Sequence, residues 1–399
     1  MSAIDKTSKI ILSMPTLEST RDSAIANWPW RDGNQFTLLE ATDQYFERMI
    51  RAIDDARSYI VLEMYLVESG LLASRFIDAF VRATQRGVSV RMVLDGFGSL
   101  GLVKADRQRL TDAAVDLRIY NIVHLRKRLH NFLRDHRKLM VVDGVVAFVG
   151  GVGLTDEFGV SKGNGTPWRD LVVEIHGPVV ADWQEAFCRT WRRSGGELSV
   201  PAVPVTPLAE GARGRVVLSE AWWRSELANA VARRLGSANK RAWIMSAYFV
   251  PSRRFRKALR RAARRGVDVR LVVPGPLTDH PIVRQAARRF YGKLLRNGVR
   301  IFEYQPRVLH GKMTICDGWV SVGSSNLDRY SFKWNLEGNQ EIEDAAFSEA
   351  AAAVFVQDCQ HSLELDPQRW SQRAWVDRLQ ERFAGWLDRW LDRWRRPHL

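Results

Sequence analysis

Two histidines in this chain carry the same neighbours at the same offsets: His136 is followed by Lys138 and Asp143, and His310 by Lys312 and Asp317. At average residue usage, a Lys and an Asp fall at those offsets from any of eight histidines by chance in roughly a few per cent of chains. One copy would carry little weight, whereas two copies in matching surroundings point to a duplicated site. An imidazole beside an ammonium, supplied twice, gives two proton carriers and two fixed positive charges. That set suits a phosphoryl group passing through a pentavalent state.

The spacing also says how these side chains are presented. Residues i and i+2 of a strand point to one face, so His136 and Lys138 project together, as do His310 and Lys312. Asp143 and Asp317 each precede a glycine, in a dipeptide that favours a tight hairpin turn, and their parity is wrong for the same face. A structural role in the turn therefore stands beside a chemical one for both.

The elements that must hold the motifs repeat as well. Apolar runs at 60–62, 90–94 and 269–273 read as buried strands, and an amphipathic stretch ending in Gly87 or Gly266 lies between strands in each half. Runs at 139–142 and 145–149 flank Asp143-Gly144, and runs at 313–316 and 319–322 flank Asp317-Gly318, so each motif enters a hairpin. Each half reads strand, helix, strand, helix, strand. The expected fold is α/β: two pseudo-symmetric domains, each a mixed, mostly parallel sheet flanked by helices, with the site at their interface. The expected boundaries are an N-terminal extension at 1–32, a first domain at 33–198, a linker at 199–210 containing Pro201, Pro204 and Pro207, a second domain at 211–365 and a tail at 366–399.

On these motifs the sequence resembles the phospholipase D superfamily, whose signature is His-x-Lys-x4-Asp followed by Gly-Ser-x-Asn, and within it the bacterial cardiolipin synthases with two motifs in one chain. The second copy continues Gly323-Ser-Ser-Asn326 and then Asn335-Leu-Glu337; Trp168-Arg-Asp170 and Gly177-Pro178 fit the synthase pattern too. The first copy continues Gly150-Gly-Val-Gly153, without the Asn, and Thr155 offers a hydroxyl nearby. The resemblance implies that His136 attacks phosphorus to give a phosphohistidine, that His310 protonates the departing alkoxide and then deprotonates the incoming alcohol, and that Ser324 and Asn326 bind phosphate. Asp170 and Glu337 occupy equivalent places after the two motifs and are the candidates for orienting the histidines. The implied reaction is phosphatidyl transfer from one phosphatidylglycerol to another with release of glycerol. A phospholipase D hydrolase, another phosphatidyltransferase and a nuclease of the superfamily remain the alternatives.

No metal or cofactor is expected: the histidines show no His-x3-His or Glu-x2-His pair, and Cys188, Cys316 and Cys359 are isolated, in keeping with a reducing compartment. Apolar stretches stop well short of the roughly 18 residues a membrane span needs, and residues 2–15 show no cleavable signal. A soluble or peripheral protein is expected.

The net charge of +15 calls for an anionic partner. Much of it lies on a helix carrying Arg253, Arg254, Arg256, Lys257, Arg260, Arg261, Arg264 and Arg265, which reads either as a solvated face or as a site for an anionic partner, and charge alone does not separate anionic headgroups from nucleic acid. The tail separates these. Five of the fifteen tryptophans follow residue 369, and Trp375, Leu379, Phe383, Trp386, Leu387, Trp390, Leu391 and Trp394 recur at helical spacing opposite arginines. Tryptophan and arginine on one amphipathic helix describe a segment in the membrane interface; the competing reading docks the Trp stripe on the protein. Phosphatidylglycerol and other anionic phospholipids are thus the expected partners, at the cytoplasmic face of a bacterial plasma membrane, with nucleic acid disfavoured.

Overall fold

The computed structural model describes residues 28–124, 130–159, 166–197, 207–220, 226–328 and 331–375, together with 379 and 381. In the first half the elements are β1 (Arg31–Leu39), α1 (Thr42–Asp55), β2 (Tyr59–Met64), α2 (Leu71–Gln85), β3 (Ser89–Asp95), α3 (Lys104–Asp112), β4 (Asp116–Tyr120), β5 (Arg134–Asp135), β6 (Lys138–Val142), β7 (Val146–Gly150), α4 (Asp156–Gly159), β8 (Val172–His176) and α5 (Val179–Arg193). In the second they are β9 (Ala212–Glu220), α6 (Glu226–Ser237), β10 (Arg241–Ser246), α7 (Arg253–Arg264), β11 (Asp268–Pro274), α8 (Pro281–Arg288), α9 (Tyr291–Leu295), β12 (Arg300–Tyr304), β13 (Lys312–Cys316), β14 (Trp319–Gly323), α10 (Ser331–Trp334), β15 (Asn335–Glu343), α11 (Ala345–Gln360), β16 (Ser362–Glu364) and α12 (Pro367–Ser371).

The duplication is visible in the pairing. In each half two βαβ crossovers give three parallel strands, β2-β3-β4 and β10-β11-β12, and the motif hairpin then joins antiparallel, β6-β7 against β2 and β13-β14 against β10. The expectation of a mostly parallel sheet is corrected here. Parallel order ends where the crossovers end, and the hairpins, β8, β15 and β16 all add antiparallel. The halves are not separate sheets either: β1 pairs antiparallel with β8 on one side and β9 on the other, and β9 pairs with β15, so the order runs unbroken from β16 to β4.

Period-2 alternation sends the two faces of each sheet to different cores. From β2 and β6, Ile60, Leu62 and Met140 pack outward against Phe46, Phe76 and Phe80 of α1 and α2. Val61, Leu139 and Val141 point the other way, into a core shared with Met245, Ile315, Val320 and Val322 of the second half. Helices α5 and α11 contribute Trp183, Phe187, Trp191 and Phe355 to that shared layer. The outer face of the second half closes on Phe255 and Leu259 of α7 and Tyr291 of α9. Helix α7 begins at Ser252, whose hydroxyl accepts the Phe255 N–H, and runs out into Gly266, whose left-handed φ of 88° matches the 87° of Gly87 after α2. Both glycines occupy the helix-ending role their sequence positions suggest.

The tail divides. Trp370 is buried in the second-half core beside Tyr291, while Trp375 and Leu379 are exposed. The rest of the proposed Trp stripe, Phe383 to Trp394, lies outside the described residues.

Candidate active site

The motif lysines begin strands β6 and β13, and the motif histidines stand two residues earlier, just outside the strand. What fixes each histidine comes from the opposite half. The His136 N–H donates to the Leu336 carbonyl at 2.9 Å, and its Nδ1 meets the Glu337 carboxylate at 3.0 Å. Reciprocally, the His310 N–H donates to the Arg169 carbonyl at 2.7 Å and its Nδ1 meets Asp170 at 2.6 Å. The two orienting candidates thus hold histidines, each the one from the other copy of the repeat. Arg169 anchors its own segment, with its guanidinium bridging both oxygens of Asp358 on α11 at 3.0 Å and reaching Glu40.

Every member of this group is buried: His136, Lys138, Asp170, His310, Lys312 and Glu337. Burial therefore dominates the protonation equilibria. It pushes Lys138 down to about 7, against the pull of Glu337, and lowers Lys312 as well. Burial also lowers both histidines, His310 to about 4 with Lys312 adding to the drop and Asp170 opposing it. Glu337 ends below the usual carboxylate range, because His136, Lys138 and Ser324 together outweigh its burial. The result is two neutral imidazoles and two destabilised ammonium groups, an arrangement that an anion entering between them would relieve.

The lysines differ in what they touch. Lys138 Nζ donates to the His136 carbonyl at 2.7 Å and lies over the Tyr65 ring at 4.9 Å. Lys312 Nζ donates to the His310 carbonyl and lies 2.7 Å from Nδ1 and 3.1 Å from Nε2 of the same ring. Aromatic rings wall the histidines: Tyr65 edge-on to His136 at 4.7 Å, and Phe158, Trp168 and Tyr248 around His310 at 5.2, 5.6 and 6.4 Å.

Two expectations are corrected. Asp143 and Asp317 do not join the site. Both sit in the hairpin turns with left-handed φ of 53° and 51°, and each carboxylate accepts three backbone N–H groups, from Arg57, Ser58 and Tyr59 in one case and from Asn239, Lys240 and Arg241 in the other. They lie beyond the far end of a five-residue strand from the lysine, about 16 Å along the chain at roughly 3.3 Å per residue. Ser324 is also not aimed at a phosphate: its hydroxyl donates to Glu337 at 2.5 Å and accepts the Gly338 N–H at 3.1 Å, so it steadies the carboxylate behind His136. Asn326 is buried, and its side-chain oxygen accepts the Tyr248 N–H at 3.2 Å.

The missing Asn of the first copy has a steric reason. A Cβ at Gly153 would stand 2.9 Å from the Leu66 carbonyl oxygen, and one at Gly151, the counterpart of Ser324, 2.3 Å from Asp170 Oδ1. Thr155, the hydroxyl offered in compensation, is buried with its oxygen unbonded.

Sequence reasoning missed a buried ionic layer behind His136. Arg137, between the motif residues, reaches the Glu337 carbonyl at 3.4 Å, Glu63 at 3.4 Å and Thr190 at 3.1 Å. Burial raises the carboxyls of Glu63 and neighbouring Asp135. In the second copy the same places hold Gly311 and Met245, so this layer has no repeat signal to find it by. The two tyrosines beside the histidines are not repeat equivalents: Met64 pairs with Lys138 and Ser246 with Lys312, so Tyr65 corresponds to Ala247 and Tyr248 to Leu66.

Comparison with known proteins bears on this geometry. A family model described as "Cardiolipin synthase, PLD-like domain" matches residues 49–191 and 231–359, one match per half. The chain is 35% identical over 367 residues to cardiolipin synthase B of Salmonella typhimurium, covering 87% of this chain and 86% of that one. It is 34% identical over 365 residues to cardiolipin synthase A of Pseudomonas aeruginosa, covering 91% and 72%. Among solved structures, phosphatidylserine synthase from Haemophilus influenzae superposes with a TM-score of 0.68 at 12% identity over 92% of this chain and 95% of that one, which establishes a shared fold.

Proposed function

Because the chain belongs to the cardiolipin synthase family of phospholipase D-like proteins, we propose that it transfers a phosphatidyl group from one phosphatidylglycerol to the hydroxyl of another, releasing glycerol. The observation that carries this reading is the exchanged pairing, His136 with Glu337 and His310 with Asp170, which draws both His-Lys pairs into one buried site. Glu337 accepts the Nδ1–H of His136 and so leaves the Nε2 lone pair to attack phosphorus. Lys138 bonds the backbone carbonyl rather than the ring, so the nucleophile stays free of an ammonium. The bond from phosphorus to glycerol oxygen breaks as the bond to Nε2 forms, and His310 Nε2 supplies a proton to the departing alkoxide. His310 is neutral in the free site; the incoming phosphodiester anion supplies the charge that raises it to imidazolium, with Asp170 holding Nδ1–H. Neutral again, His310 takes the proton of the acceptor hydroxyl as that oxygen displaces His136.

The rings of Phe158, Trp168 and Tyr248 around His310 favour an alcohol carried in on a lipid over bulk water as acceptor. Phosphatidylglycerol and other anionic phospholipids are then the partners, and the protein acts peripherally at the cytoplasmic face of a bacterial plasma membrane. The charge of +15 fits an anionic surface. Among the described residues no helix is long and apolar enough to cross a membrane.

The test is to incubate the purified protein with headgroup-labelled phosphatidylglycerol and resolve the products. Cardiolipin with free glycerol is expected. Phosphatidic acid as the main product would establish hydrolysis instead, and cleavage of an oligonucleotide alone would sink the lipid reading.

A further inference from the structure

Loops that follow the parallel strands lie on the side of the sheets where Lys138 and Lys312 start their strands, and they carry an unusual share of exposed apolar side chains. After β3, Phe97 is 55% and Leu100 65% exposed, with Val103 beyond them; after β4 comes Ile122; after β11 come Leu277 and, at 60%, Ile282. In the first half these loops form one surface. Gly96 abuts Ile122 and donates to the Tyr120 carbonyl, and the Gly98 and Gly101 carbonyls accept from Val67 and Ser69, which stitches the β2, β3 and β4 loops together.

Each loop cluster reaches its histidine through one tyrosine. Gly98 lies against the Tyr65 backbone, and the Tyr65 ring meets His136. On the other side the Tyr248 hydroxyl bonds Asp279 and its ring meets both His280 and His310. The apolar residues therefore stand on two sides of one site. Exposed cations flank them, Lys104 after the β3 loop and Arg253 and Arg254 after the β10 loop. Among the described residues these rim side chains stay exposed and are not covered by another element.

We propose that this rim is the docking face for an anionic phospholipid bilayer, with Phe97, Leu100, Leu277 and Ile282 inserted below the headgroups and the His-Lys site opening onto the membrane. The inference deepens the reading of the site as a phosphatidyltransferase and rests on it. A lipid whose acyl chains stay in the bilayer must bring its phosphate to buried histidines, and an apolar rim on both sides of the site shortens that path. Cations beside the rim match anionic headgroups, and their contribution is screened by salt while the apolar contribution is not.

The three native cysteines are buried, so an introduced cysteine takes an environment-sensitive fluorophore selectively. Labels at Phe97→Cys and Ile282→Cys should shift to the blue on phosphatidylglycerol vesicles at high salt. A label at Val145→Cys, exposed in the hairpin turn at the opposite end of β6, should not. The variant Phe97→Ser/Leu100→Ser/Leu277→Ser/Ile282→Ser should lose at least tenfold in vesicle binding at high salt while keeping its turnover on monomeric short-chain phosphatidylglycerol. Equal shifts at all three labels, or wild-type vesicle binding by the fourfold variant, would overturn the proposal. Failure of the wild type on the short-chain substrate would instead overturn the assigned reaction, and the labels would report docking regardless.

Discussion

The two half-sites solve one problem with different parts. Behind His136 stands Glu337, held by the Ser324 hydroxyl and by Asn335; behind His310 stands Asp170, held by the Leu171 N–H at 2.7 Å. Asp is one methylene shorter than Glu, and its carboxylate fills the space that a side chain at Gly151 would take. Ser324 and Glu337 on one side, Gly151 and Asp170 on the other, are each a matched set. A pseudo-twofold site need not be chemically equal, and unequal supports allow one histidine to specialise as nucleophile and the other as acid.

The largest test of that specialisation is on the histidines. His136→Ala and His310→Ala should each lower kcat by about 10⁴-fold or more. With an activated leaving group, His310→Ala should still accumulate an acid-labile adduct on His136, and His136→Ala should form none. Mass spectrometry placing the adduct on His310 would reverse the roles.

Next come the carboxylates. Glu337→Gln and Asp170→Asn should each cost about 10²- to 10⁴-fold, since the amide leaves the imidazole tautomer unheld. Their pH profiles should part. Glu337 raises the His136 pKa, so Glu337→Gln should move the acid limb of kcat/KM, which requires neutral His136, to lower pH. On the alkaline side, Lys138 loses its proton near 7 in the free enzyme, so kcat/KM should fall above that pH and Lys138→Arg should carry the limb upward.

Exchanging the supports should be asymmetric. Ser324→Gly removes one charge-assisted bond to Glu337, about 1.5–3 kcal/mol, and should slow the first half-reaction. Gly151→Ser installs the other half's residue where its Cβ meets Asp170, so it should damage the His310 side more than Ser324→Gly damages the His136 side. Parallel losses would show that the two supports are interchangeable.

Smallest in activity and visible in stability are the turns. Asp143→Ala and Asp317→Ala each remove three accepted backbone bonds and should cost about 1–3 kcal/mol in unfolding, with near-normal kcat in the folded fraction. Three backbone N–H bonds and Arg241 outweigh burial and hold the Asp317 carboxyl below its ordinary range. Its contribution is therefore present above the unfolded-state pKa, about 4, and lost as pH falls through the lower folded value. Thermal melts between pH 7 and 3 should show Asp317→Ala losing part of that acid sensitivity.

Much of the site was legible in the chain. Lys138 and Lys312 start strands, Asp143-Gly144 and Asp317-Gly318 are hairpin turns, and Gly87 and Gly266 end helices, because each depends on neighbours a few residues away. The parity that put Asp143 on the wrong face was already a sign that it serves the turn. Ser324 was misread because the motif gives its place in the sequence and not the direction of its hydroxyl, which Glu337 decides. The predominance of antiparallel pairing was missed because β1, β8, β9 and β15 follow no crossover and announce no partner.

By itself the sequence determined the duplication, the chemistry of the two His-Lys pairs and the strands that present them, since local periodicity and turn chemistry act over a few residues. Only the tertiary structure decided that Glu337 serves His136 and Asp170 serves His310, across separations of 201 and 140 residues. No short-range rule links residues so far apart. The choice follows from β1, β9 and β15 closing two sheets onto one core, which leaves each histidine facing the other half's carboxylate.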